Sequence, residues 1–213
     1  MKDKIISFDA DGTLVKRDLV DKFWFEEVPR LYADEHNIDQ DEALDKVKSS
    51  YKEVGPSDIR WYLPDYWFDR FEIPGNPESI IENIKHVKEV YNDALDVLDY
   101  FENEYKLIVI SNAPREFLDV QLKEIEDYFS VIYSCVSDLK RVKKDSTVYE
   151  IVLDQISSNP RDMIHVGDDF KFDYKAPKEI GIESYFIDRE RNYPEKNGIL
   201  RDLRDLKDIL NSN

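Results

Sequence analysis

The sequence has one cysteine, Cys135, so no intramolecular disulfide can brace the chain and a reducing compartment is the natural setting. It has no apolar run approaching the roughly 20 residues needed to span a bilayer. Met1-Lys2-Asp3-Lys4 passes straight into an apolar strand pattern without the core of a signal peptide. A soluble, cytoplasmic protein with no membrane partner is therefore expected. Positive charge is also scarce: 30 Lys and Arg face 47 Asp and Glu, a net charge of -17. Like-charge repulsion on that scale argues against nucleic acid or anionic lipid as a partner. A small phosphorylated substrate requires local positive charge that overrides this background.

What is present suits a sizeable core: 41% of the 213 residues are hydrophobic and 13% aromatic, enough for one large domain or a core with an insert. Five short apolar runs end in polar residues: Lys4–Phe8, Leu107–Ile110, Val131–Val136, Met163–Val166 and Ser184–Ile187. Continuous rather than alternating apolarity predicts buried parallel strands. Helical spacing lies between them, in Ser79–Phe101 with a break near Asn92-Asp93, in the stretch after Pro114, and around Leu203, Leu206 and Leu210. Thr147 and Glu150 have capping-box spacing ahead of Ile151. Alternating strands and helices predict an α/β fold, a doubly wound, Rossmann-like parallel sheet.

The first connection breaks that rhythm. Roughly 90 residues separate the first strand from the second, far more than a crossover helix needs. The segment is rich in aromatics and is interrupted by Pro56, Pro64, Pro74 and Pro77. Residues 16–88 are expected to form an inserted α-helical cap, leaving 1–15 and 89–213 as the core domain.

Chemistry gathers at the strand ends. Asp9 and Asp11, in Phe8-Asp9-Ala10-Asp11-Gly12-Thr13-Leu14, are two residues apart, so an extended backbone points both carboxylates to one side. They would sit at the carboxyl edge of the sheet, where open α/β folds place ligands. The structural alternative is a turn that merely ends a strand. Gly167-Asp168-Asp169, followed by Asp173, brings further carboxylates to that edge. Hard oxygen ligands suit Mg²⁺, and converging carboxylates repel by roughly 4 kcal/mol per pair at about 4 Å without one. A solvated acidic loop is the alternative. Ser111 and Asn112 end a strand with groups able to bind a phosphoryl oxygen, or to cap the next helix. Lys140-Arg141-Val142-Lys143-Lys144 is the densest basic cluster, of which one lysine is expected to be functional and the rest a solvated run.

In this order, Asp9-x-Asp11-Gly-Thr-Leu, Ser111-Asn112, Lys143 and Gly167-Asp168…Asp173 resemble the four motifs of the haloacid dehalogenase superfamily. The resemblance covers residues 1–15 and about 90–190, and the insert is similar in position and length to a subclass I helical cap. It implies a Mg²⁺-dependent phosphatase acting on a small phosphorylated metabolite. Asp9 would be the nucleophile that forms an aspartyl-phosphate, and Asp11 the general acid and then base. The resemblance also implies Mg²⁺ at Asp9, the Asp11 main-chain carbonyl and Asp168, with Asp173 orienting metal-bound water, and Ser111 and Asn112 on the phosphoryl oxygens. Where members of the family often carry Lys-Pro-Asp-Pro, this chain has Lys143-Lys144-Asp145-Ser146, which selects Lys143 with Lys144 in reserve. Asp169 stands where serine is common, so Asp169 and Asp173 compete for the supporting role.

A haloacid dehalogenase on the same fold would leave Asp11 without a task, since halide needs no proton. A phosphomutase would retain it. A phosphonate hydrolase would want a desolvated lysine such as Lys16 or Lys22, and a binding protein on a retired hydrolase scaffold would be expected to lose Asp9 or Asp11. Specificity is expected from the cap, through Arg17, Lys22, Arg60 or Arg70 and through Trp24, Trp61 or Trp67, although packing and surface charge explain most of these. Phosphoglycolate, sugar phosphates and nucleotides fit equally at this stage, as do a monomer and a homodimer.

Overall fold

The apolar runs become parallel strands β1 (Ile5–Phe8), β2 (Lys106–Ser111), β3 (Val131–Ser134), β4 (Met163–Gly167) and β5 (Glu183–Ile187). With a short sixth strand, β6 (Ile199–Leu200), they form one sheet in the order β3-β2-β1-β4-β5-β6. Every pairing is parallel. The computed structural model describes residues 4–143, 145–194, 196 and 198–211. Two residues are too few to show a periodicity, which is why β6 is not legible in the sequence. β3 stops two residues before the expected Val136. There the Asp138 carboxylate accepts from Ser134 N and the Ser134 hydroxyl accepts from Ser137 N, turning the chain out of the sheet.

The sheet is covered on both faces, as continuous apolarity requires. In β2, Val109 joins the cluster that contains Phe8, Phe23, Trp67 and Phe117, whereas Ile108 and Ile110 join Val148, Tyr149 and Leu153 on the other face. Helices α1 (Asp18–Lys22) and α2 (Val28–His36) are joined by a π-helical stretch, Phe23–Glu27, and are followed by α3 (Gln40–Val54), α4 (Pro64–Arg70) and α5 (Pro77–Ile84). Local chemistry explains their ends. Asp39 and Asn76 accept backbone N–H bonds two residues on, at the starts of α3 and α5, and Pro64 and Pro77 occupy first-turn positions where no donor is needed.

The expected long helix over 79–101 is two helices. A 3-10 turn, Lys85–Val87, and an extended stretch end the first, and α6 (Asn92–Phe101) begins where the break was expected. In between, the chain returns beside its own exit: Lys16 N donates to Glu89 O and Tyr91 N to Leu14 O, with Val15 bridged to Val90. The helical segment over 16–88 thus starts and finishes on two adjacent strands of chain.

The remaining helices are α7 (Arg115–Gln121), α8 (Thr147–Gln155), α9 (Ala176–Glu179) and α10 (Asp205–Asn211). The Thr147–Glu150 capping box does not form. Thr147 is already helical, and its N–H is taken by the Asp145 carboxylate instead. Among the described residues no helix is long and apolar enough to cross a membrane.

Candidate active site

β1 lies between β2 and β4, so the strand order reverses direction beside it and the carboxyl ends of all three strands open on one crevice. Register aligns these ends. Phe8 pairs with Val109 on one side and Val166 on the other, and Asp9 N donates to Val166 O. Asp9 therefore stands level with the last residues of β2 and β4.

Lys143 organises the centre. Its Nζ donates to Asp9 Oδ1 at 2.5 Å, to Asp173 Oδ1 at 2.6 Å and to the Ile110 carbonyl at 2.8 Å. It is only 2% exposed, so this is a buried charge whose three hydrogens are all satisfied. Burial opposes its charge, but Asp173 and Asp9 hold the ammonium group well above its ordinary pKa. Lys144, the reserve assignment, lies outside the described residues.

The carboxylates differ by environment. Burial opposes ionisation of Asp173, yet Lys143 and His165 hold its carboxyl below the ordinary carboxylate range. Burial pushes Asp9 up against the pull of Lys143, with the charge of Asp173 adding to the rise. Asp168 is pushed well up by burial and by the charges of Asp9 and Asp173, and its nearest cation is Arg17, whose Nη1 lies 3.6 Å away. Asp11 rises to about 6, mainly through burial and despite Arg17. Its Oδ1 accepts from Gln121 Nε2 at 2.6 Å.

Asp9, Asp168 and Asp173 each offer an oxygen, and these lie within 4.8 Å of one another. That donor set fits a hard divalent cation. Lys143 answers the charge of Asp9 and Asp173, while Asp168, half-buried beside both, meets only the more distant Arg17 at 3.6 Å. Two glycines make the approach physically feasible. A Cβ at Gly12, where φ is +72°, would lie 2.1 Å from Asp168 Oδ2, and one at Gly167 would lie 2.4 Å from the Asp173 carboxyl carbon. The Asp11 side chain is not part of this cluster. Asp169 lines the same cavity but is outside this cluster: its Oδ1 accepts from Lys171 N and Phe172 N, capping a π-helical turn, Phe170–Lys175.

The ends of β2 are tied to the lysine. Asn112 Oδ1 accepts from Lys143 N at 2.8 Å, and Asn112 Nδ2 donates to the Tyr62 hydroxyl at 3.3 Å. The Ser111 hydroxyl accepts from Ala113 N at 3.2 Å. Both residues line a cavity of about 380 Å³ together with Asp9, Asp11, Lys143, Asp168 and Asp173. Of the expected specificity residues, Arg17, Trp24 and Trp61 also line it. Trp67 is fully buried, donating Nε1 to Trp61 O, and Lys22, Arg60 and Arg70 do not reach the cavity.

Four contributors were not singled out in the sequence. His165 lies between Ser7 Oγ, 2.7 Å from Nδ1, and Asp173 Oδ1, 3.1 Å from Nε2. Burial holds the imidazole below its ordinary pKa despite Asp173, so its neutral form presents the Nε2 proton to the carboxylate. Ser7 and His165 are register partners on adjacent strands. Their signal was present, a hydroxyl and an imidazole each interrupting an apolar run two residues before a motif. Gln121 carried no comparable mark. Arg189 braces the loop after β1, donating to the carbonyls of Gly12 (3.1 Å) and Thr13 (2.7 Å) and to Asp93 Oδ2 (2.8 Å).

The architecture recurs in solved structures. A HAD phosphatase from Thermococcus onnurineus superposes with a TM-score of 0.86 at 23% identity, over 97% of each chain. A 2-haloacid dehalogenase from Pseudomonas syringae gives 0.72 at 19% over 98% of each, and a predicted phosphoglycolate phosphatase from Haemophilus somnus gives 0.68 at 19% over 99% of each. At these identities the likeness establishes the fold. No curated protein matches the sequence. The family model described as haloacid dehalogenase-like hydrolase matches residues 4–181, a span that holds every motif residue above, and the chain belongs to that family.

Proposed function

We propose that the chain is a Mg²⁺-dependent phosphatase that hydrolyses a small phosphate monoester through an aspartyl-phosphate on Asp9. The observation that carries this is the pairing of Asp9 with Asp11. Both line one cavity, and the second carboxyl is raised to about 6 beside the first. Carbon–halogen hydrolysis would have no use for that second group. Phosphate ester cleavage does, because an alkoxide leaves and must be protonated.

The Asp9 carboxylate attacks phosphorus and displaces the alcohol, to which Asp11 delivers its proton. Asp11, now ionised, then accepts a proton from the water that opens the aspartyl-phosphate. Lys143 is fixed by three hydrogen bonds, so it needs no reorganisation to offset charge that builds on the transferring group. The Ser111 hydroxyl and the Asn112 backbone, at the cavity wall, are the donors available to phosphoryl oxygens. Asp9, Asp168 and the Asp11 main-chain carbonyl would hold Mg²⁺, with Asp173 in support. When bound, the ion lowers the repulsion between an anionic nucleophile and an anionic phosphate. Residues 16–88 act as the cap, supplying the aromatic side of the cavity.

The test is hydrolysis of p-nitrophenyl phosphate by the purified protein with Mg²⁺ and with chelator. Turnover that needs Mg²⁺ and disappears in Asp9→Asn supports the assignment. Halide release from a 2-haloacid with no phosphate release would reassign the chain to dehalogenation.

A further inference from the structure

On the basis of the phosphatase reading above, we propose that its substrate is the phosphate monoester of an apolar, ring-bearing alcohol with no second anionic group. Away from the carboxylates, the cavity is walled by Val20, Trp24, Phe25, Trp61, Tyr62 and Phe117. Phe25 is 41% exposed, with Lys48 Nζ 5.7 Å from its ring centre, so part of this apolar wall is open to an entering ligand. Planar aromatic walls favour a stacked ring and bring little conformational entropy cost.

The charges of the cavity exclude the alternatives. Among the described residues, Arg17 and Lys143 are the cations that line it, and both are engaged at the carboxylate end. The other basic side chains considered for specificity point elsewhere into ion pairs. Lys22 meets Glu26 at 2.8 Å, Arg60 grips Asp58 through two nitrogens at 3.0 and 2.7 Å, and Arg70 meets Glu53 at 2.5 Å. The remaining charge in that wall is negative: Asp21 lines the cavity, 4.0 Å from Arg17 Nε. A carboxylate or second phosphate on the alcohol would be desolvated between rings beside Asp21, and the lining cation nearest to it, Arg17, is already shared between Asp21 and Asp168.

A polyhydroxylated alcohol fares little better. Asn112 spends its carbonyl on Lys143 N and an amide hydrogen on Tyr62, whose own hydroxyl donates to Pro56 O. Several sugar hydroxyls would enter with few acceptors besides Asp21 in that wall to receive them, and each unmet hydroxyl keeps an uncompensated desolvation penalty.

Four alkyl monoesters separate these cases, because their leaving groups are chemically alike: ethyl phosphate, 2-phenylethyl phosphate, 2-phosphoglycolate and glucose 6-phosphate. Their kcat/KM values are compared on the Mg²⁺-loaded enzyme. Burial of a phenyl ring predicts an advantage of about tenfold or more for 2-phenylethyl over ethyl phosphate. 2-Phosphoglycolate and glucose 6-phosphate should fall below ethyl phosphate. Trp61→Ala should remove most of the phenyl advantage through KM. If that variant does not fold, calorimetry on Asp9→Asn with Mg²⁺ reads the same quantity, with 2-phenylethyl phosphate binding tighter than inorganic phosphate. Equal or better turnover of 2-phosphoglycolate or glucose 6-phosphate overturns the substrate class and leaves the phosphatase assignment standing. No turnover of any ester, p-nitrophenyl phosphate included, removes both.

Discussion

Lys143 donates to Asp9 across 134 residues of sequence at 2.5 Å, and the same nitrogen reaches Asp173 at 2.6 Å. Removing the lysine leaves two carboxylates buried without their cation. Breaking such a pair costs about 3–5 kcal/mol. For a chain of this size each kcal/mol moves Tm by about 2–4 °C. Lys143→Met should therefore melt some 6–20 °C lower by the same scaling and lose phosphatase activity by at least about a hundredfold. Adding Asp173→Asn should recover part of the lost stability, because one orphaned charge goes with it. A double variant less stable than Lys143→Met alone would show that the pair does not share this electrostatic role.

The Asp11 carboxyl, at about 6, sets a limb in the pH profile. A general acid must hold its proton, so kcat/KM for ethyl phosphate should fall as pH rises through this value. The effect should shrink for p-nitrophenyl phosphate, whose leaving group needs little protonation. Gln121 donates to the ionised form and so pulls this pKa down. Gln121→Leu should move the limb upward by about one pH unit. An unmoved limb would mean that another group titrates.

Asp168 gives a prediction with the opposite sign to the usual surface carboxylate. Its folded-state pKa is raised above the unfolded value by burial and by Asp9 and Asp173. The folded protein therefore binds the proton more tightly, and the stability this contributes is present at low pH and lost as pH rises through the raised value. At pH 8 without metal, Asp168→Asn should melt higher than the native chain. Mg²⁺ should raise the native Tm and should raise that of the variant much less. Scanning fluorimetry in Mg²⁺ and in chelator checks both, and equal curves for the native chain would count against the metal site.

Arg189 holds the loop after β1 from the far side. Besides the Gly12, Thr13 and Asp93 bonds, its guanidinium lies 3.6 Å from the centre of the Tyr91 ring. Arg189→Ala should cost roughly 2–4 kcal/mol in denaturant unfolding. Arg189→Lys should recover only a minor share, since an ammonium group cannot reproduce a planar fork. Full rescue by lysine would reduce the residue to a simple point charge.

Much of this was legible because strand ends are local. An apolar run that stops at Asp9, Ser111 or Gly167 announces both the strand and the polar edge, and the family model matches the chain over residues 4–181. The capping box at Thr147 misled because Asp145 offered a competing acceptor at almost the same place. β3 was drawn too long because Cys135 and Val136 are buried in a turn, and burial alone does not distinguish a turn from a strand. His165 and Ser7 were hidden inside runs read for their apolarity.

The sequence by itself determined where β1 to β5 lie, that a helical segment of unusual length interrupts the first crossover, and that Asp9 and Asp11 stand together just past the end of the first strand. Such signals depend on neighbours a few residues apart. Only the tertiary structure decided that Asp173 joins Asp9 and Asp168 while Asp169 caps a turn, and that Arg17 remains at the cavity when Lys22, Arg60 and Arg70 pair elsewhere. It also decided which carboxyl rises and which falls. Those outcomes follow from burial and from charges contributed by elements far apart in the chain, and no local pattern encodes the distance between them.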